Sequence, residues 1–148
     1  MIKAVFNILA ICGAAGFAGV MLSIGVTLGG YWRSLPTQEF LDWFSANNQF
    51  VSRSIPMVFM PTFLGLVGSV WLSWGNPELK YWIASLVCII VVAIFTFAFF
   101  VPANVAFASG TLNEATAAEK LNQWIKIHYF RIGFGLAAAI FGCLAIKA

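Results

Sequence analysis

Apolar residues run along this chain in stretches too long for a soluble core, broken by short polar interruptions. From Ala4 to Gly30 there are 27 residues without a charge. Three further apolar stretches occupy 55–74, 82–101 and 127–146. About 20 apolar residues, rising about 1.5 Å each, cross a hydrocarbon slab of about 30 Å. The pattern therefore predicts an all-α, multi-pass integral membrane protein. Four spanning helices form a bundle in one domain, residues 1–148. The first stretch follows Lys3 as a signal peptide would, but it far exceeds an h-region of about 7 to 15 residues. It reads as a retained span.

The breaks are informative. Gly75-Asn76-Pro77-Glu78 is a tight turn, so the second and third spans are antiparallel neighbours. Thr111-Leu-Asn-Glu114 has capping-box spacing, and Thr116-Ala-Ala-Glu119 is a second candidate start for the last helix. Pro56 fits the first turn of the second span. Pro61 and Pro102 free the carbonyls of Met57 and Ala98. The longer connection from Tyr31 to Ser54 sets Phe40, Leu41, Trp43, Phe44 and Phe50 beside Gln38, Glu39, Asp42 and Asn47. It predicts a short amphipathic helix, lying on the membrane surface or packed over the bundle end. Trp32, Trp71, Trp74 and Trp82 fall near span ends, as headgroup anchors do. Small residues supply close-packing faces: Gly13, Gly16, Gly19 and Gly25-x-x-x-Gly29, then Gly65-x-x-x-Ser69, then Gly135-x-x-x-Ala139 and Ala138-x-x-x-Gly142.

Composition agrees: 61% of the 148 residues are hydrophobic and 9% are charged, against roughly 25% charged in a soluble domain. The net charge of +3 comes with no basic run, which argues against a nucleic-acid partner. Cys12, Cys88 and Cys143 lie singly in apolar runs and read as small apolar side chains rather than a redox pair or zinc site.

An even number of spans puts both termini on one side and the two long connections on the other. The connection side holds Arg33, Arg53, Asn104, Trp124, His128 and Arg131, including the only histidine and every arginine. From Ile132 to Ile146 there are 15 uncharged residues, about 22 Å of helix. Arg131 thus sits at or just inside the apolar boundary, where an Arg costs a few kcal/mol unless it faces a bundle interior or snorkels outward. Trp124, His128 and Arg131 are spaced i, i+4, i+7. They share one helix face, continuing into Gly135 and Ala138.

These motifs resemble a known family. Arg53-x-x-Pro56, Pro102-Ala-Asn104, and Trp124-x-x-x-His128-x-x-Arg131 followed by Gly133, Gly135 and Ala137-Ala138-Ala139 look like the small four-span family that includes the anthrone oxygenases. By matching position the resemblance singles out Arg53, Asn104, Trp124, His128 and Arg131. It implies oxidation of polyphenolic anthrones to anthraquinones.

The residues themselves bound that chemistry. No Asp or Glu lies within a span and the chain has one His. That falls short of a di-iron carboxylate cluster, a facial triad or a bis-His haem. No Gly-rich dinucleotide or phosphate loop occurs. The expectation is oxygen chemistry without a metal or other cofactor: His128 as general base, Arg53 and Arg131 on the developing oxyanion, Asn104 orienting a carbonyl and Trp124 stacking on the substrate rings. The ligand would be an apolar aromatic, phenolic or quinone-like molecule reached from the membrane lipids. The competing reading is a non-catalytic accessory subunit, packed against other membrane protein subunits or itself. In either case cysteine-accessibility labelling should place positions 3 and 147 on one side of the membrane and position 47 on the other. Labelling of all three from one side would refute the four-span topology.

Overall fold

A computed structural model describes all residues from Met1 to Ala148. Four long helices make up nearly the whole chain: α1 (Ile2–Ser34), α2 (Thr37–Leu72), α3 (Leu79–Ala108) and α4 (Glu114–Ala145). Each is long and apolar enough to cross a membrane. The turn between α2 and α3 is made by Gly75 at φ +80°, a left-handed conformation that costs glycine little. At that end Lys3 Nζ meets Glu78 Oε1 at 2.6 Å, which levels the helices on the terminus side.

The 36 residues of α2 span about 54 Å, well beyond a slab of about 30 Å. With the helices levelled at the terminus side, the excess projects from the other side as a helical head. The amphipathic segment of the first long connection belongs to this head. It is not a separate surface helix, because α2 runs unbroken through it from Thr37 to Leu72. Phe40, Leu41 and Phe44 turn inward and are buried. Phe40 meets Phe107 at 5.0 Å between centroids, and Phe44 meets Trp32 at 5.5 Å. Pro56 consequently lies inside α2 rather than in its first turn, and frees the Ser52 carbonyl by the same geometry that makes Pro61 free Met57. Trp71 and Trp74 are exposed, as anchors should be. Trp32 and Trp82, expected as anchors, are core residues: the head covers Trp32, and Trp82 packs against α4. At the start of α4 the cap is Asn113, whose side chain accepts from Thr116 N at 2.9 Å. An Asn cap serves as well as the Thr residues anticipated there.

Two π-helical turns interrupt the regular helices, Ile24–Leu28 in α1 and Thr96–Phe100 in α3. In α3 buried positions recur at intervals of seven, Trp82 to Ile89 and Ser85 to Val92, then step by eight to Phe100, and resume with Phe107. In α1 Ala10, Phe17 and Ile24 are followed after eight by Trp32. Each π turn holds the extra residue. The turn in α3 also receives Pro102: Val101 N–H bonds to Thr96 O, and Thr96 Oγ1 donates to Val92 O at 2.7 Å.

Helices in lipid associate through close backbone approach, and α1 is the hub. A Cβ on Gly65 would run into the backbone of α1 at Ala10 N, and one on Gly13 would stand 2.6 Å from Thr62 Oγ1. Toward α4, Gly135 lies against Ala18 and Gly142 against Ile11. Helices α3 and α4 are tied by Ser85 Oγ donating to Ala138 O at 2.7 Å. The α2–α3 seam differs: α2 meets Leu79–Phe95 and again Val101–Ala108, and far less the π turn between them. Gly16 and Gly19 have no neighbour within 4 Å and face outward.

Gly65→Ala should cost about 1 to 3 kcal/mol of stability through overpacking, whereas Gly16→Ala should be neutral or slightly stabilising. Detergent unfolding midpoints measure both. Lys3, by its hydrogen bond and charge, holds the Glu78 carboxyl below its ordinary 4.5. A carboxyl lowered on folding stabilises above its ordinary value, and the effect is lost as pH falls through the lowered one. The advantage of wild type over Glu78→Gln should therefore be full at neutral pH and fade on acidification below 4.5, as followed by thermal melts.

Candidate functional site

Between the separated parts of α2 and α3 lies a cavity of about 360 Å³. Its wall is mostly apolar, and its polar members are Ser52, Thr96, Asn104, His128 and Arg131. Met60, Phe97 and Val101 line it and are 51%, 72% and 45% exposed. They frame a mouth at the α2–α3 seam, on the side of the bundle that faces lipid.

Helix α4 supplies the chemistry. His128 is 1% exposed, packed inside the protein rather than at its surface. Its Nε2 lies 2.7 Å from Met21 O. A carbonyl only accepts, so Nε2 carries a proton, and in the neutral ring Nδ1 is then a lone pair. Nδ1 is buried without a partner. The carbonyl comes from the turn of α1 that leads into its π segment, and Gly25 gives the ring room: a Cβ there would stand 3.0 Å from His128 Cδ2.

Trp124 stacks on His128 with centroids 4.7 Å apart and planes 8° from parallel. The ring face expected to receive a substrate is thus occupied by the imidazole. Trp124 also donates from Nε1 to Asn104 Oδ1 at 2.9 Å. That bond fixes the amide and leaves the Asn104 NH₂ group as a donor at the cavity wall. Trp124 therefore positions two polar side chains.

Arg131 is 1% exposed, and its Cζ lies 4.2 Å from the Phe100 ring centroid, a cation–π contact. Its Nε and Nη2 are buried without hydrogen-bond partners, and the chain's ion pair lies elsewhere, at Lys3 and Glu78. No carboxylate lines the cavity.

Asn104, Trp124, His128 and Arg131 therefore converge, as their positions at one end of the bundle suggested. Arg53 does not join them. The residues of α2 that line the cavity, from Val51 to Met60, occupy one arc of the helix. Arg53 lies just past the edge of that arc, exposed, with its guanidinium over Phe50 at 5.6 Å. Sequence reasoning missed Phe100, Thr96, Gly25 and the Met21 carbonyl. Phe100 stands one turn before Asn104, a spacing that could have revealed it. No group of three or more His, Cys, Asp or Glu side chains is placed to hold a metal ion.

Fold and site together define a four-span membrane protein with a lipid-bordered cavity and a buried, unpaired cation. The family described as anthrone oxygenase matches residues 43–141, and the chain belongs to that family. All five residues named from sequence fall inside the match, while the span of α1 that supplies Met21 precedes it. No curated protein and no solved structure matches the chain.

Because His128 is the only histidine, selective ¹⁵N-histidine labelling reports on one ring. The expected spectrum has a protonated Nε2 and a bare Nδ1 at neutral pH. Gly25→Ala should perturb it by pushing the ring off Met21 O.

Proposed function

We propose that this protein oxidises a flat, apolar aromatic ketone of the anthrone type, without a resident metal or flavin, in the cavity between α2 and α3. The observation that carries the reading is the pairing of a neutral imidazole, its Nε2–H committed to Met21 O, with a buried guanidinium lacking any anionic partner.

The chemistry uses dioxygen as oxidant. His128 Nδ1 takes a proton from the ring methylene, and the remaining electron pair delocalises onto the ketone oxygen. Arg131 stabilises that oxyanion, an effect strong where water is excluded, and the Asn104 amide adds a donor. The carbanion passes one electron to dioxygen. The radical pair combines into a C–O bond, and protonation by the His128 imidazolium gives a hydroperoxide. Loss of water from the hydroperoxide leaves a carbonyl, so the methylene gives up two hydrogens and gains one oxygen atom, the second leaving as water. Since Nδ1 is buried without a partner, the imidazole must shift for proton transfer. Substrate arrives from the bilayer through the mouth at Met60, Phe97 and Val101. Arg53, outside the cavity, takes no part.

Burial changes the choice of variant. His128→Ala would leave a hole beside Trp124 and remove the side-chain donor to the Met21 carbonyl, so His128→Gln, which keeps an N–H for Met21 O, is the cleaner test. It should cost about 10² to 10⁴ in rate with the fold intact by circular dichroism. Arg131→Lys should also slow turnover, because an ammonium lacks the planar donor fork. Undiminished anthrone oxidation in His128→Gln would remove the base, and loss of activity to a chelator would overturn the metal-free route.

The accessory-subunit reading rests on the outward face of α1, where Gly16 and Gly19 offer a close-packing surface that nothing in the chain covers. A membrane protein copurifying in mild detergent, with no turnover in the isolated chain, would favour it.

A further inference from the structure

A charge inside a lipid-bordered bundle is costly unless it is paired. The chain has five Asp and Glu, and none lies on the cavity wall or bonds to Arg131. The cavity wall that Arg131 shares takes Ser52 from α2 and Thr96 and Asn104 from α3 as its other uncharged polar members, while α1 brings only apolar side chains. The one titratable neighbour is His128, whose imidazole is neutral or cationic and so supplies no negative charge. The Phe100 ring offsets part of the charge, yet Nε and Nη2 keep no acceptor. Buried donors left unmet in this way are resolved by what occupies the site.

We infer that the ligand is held here as an anion, the ionised oxygen of an acidic phenol, enol or hydroxyquinone on a flat apolar ring system supplying the negative charge that the bundle omits. The flat ring fits the apolar wall of Phe17, Phe59 and Phe97 and the lipid-side mouth. The ionised oxygen meets Arg131. This rests on the same cavity as the proposed oxidation, but concerns binding, so a compound with no oxidisable methylene can test it. The site selects by charge before any proton leaves a ring methylene: an acidic hydroxyl gives its proton to water and binds in its ionised form, and the same ring with that oxygen capped is discriminated against.

The probe is lawsone, a hydroxynaphthoquinone whose ionised form absorbs at longer wavelength than the neutral one, compared with its methyl ether. The full chain is reconstituted in nanodiscs of zwitterionic lipid, with protein-free nanodiscs as reference. Protein-bound lawsone should show the anion spectrum with its ionisation shifted down by about one to three pH units, and the methyl ether should bind at least tenfold more weakly. Arg131→Lys should keep most of the shift, and Arg131→Met should abolish it. The wild-type comparison stands even if Arg131→Met fails to fold. An unshifted titration, or equal binding of the ether, overturns the inference. Displacement of lawsone by oleate at equal concentration also overturns it, because a fatty-acid carboxylate carries the charge without the ring. An intact spectral shift in a protein that never oxidises anthrone would sink the oxygenase reading and support this one.

Discussion

Close backbone contact at three of the four helix seams decides where everything else in this protein lies. Inside a bilayer no water is released when helices meet, so the contact must come from shape. The glycines of α1, α2 and α4 supply it at Gly13, Gly65, Gly135 and Gly142. With α1 clamped to both α2 and α4, and α3 tied to α4 through Ser85, the remaining slack falls to the α2–α3 seam. Pro56 and the π turn of α3 keep that seam from closing along its middle. The cavity is the space left when the other three seams are satisfied, and its opening toward lipid follows from the same arrangement.

Within that space the polar groups form a chain with an assigned order. Met21 O fixes the imidazole, the imidazole lies against Trp124, and Trp124 holds the Asn104 amide. Every link is made from inside the protein, and what stays unmet is His128 Nδ1 and, with its charge, Arg131. Buried polar groups without partners are costly in an apolar surround, and a charged one most of all.

Much of this was legible in the sequence because lipid imposes simple arithmetic. Run lengths announced the four spans, and Trp124, His128 and Arg131 shared a face by spacing alone. The amphipathic segment was readable as helix, while its fusion to α2 was hidden: hydropathy marks where a helix leaves the slab, and helices that continue into water look like loops to that measure. Trp32 and Trp82 were misread for a related reason, since nearness to a span end says nothing of azimuth. Arg53 was placed by end rather than by face. The eight-residue steps from Ile24 to Trp32 and from Val92 to Phe100 were present in the sequence as an interrupted heptad, and hydropathy averaged over a window erases a one-residue change of phase.

Those two steps carry a consequence for how the chain tolerates change in length. One extra residue advances a helix by about 100°. Each π turn thus acts as a splice between a membrane-embedded barrel of one facing and a head of another. Loss of a single residue within 24–28 or 96–100 would leave composition and hydropathy almost untouched while rotating Trp32 or Phe107 out of the head. Insertions and deletions there act as rotations, so the facing of the head depends on residue count as much as on side-chain identity.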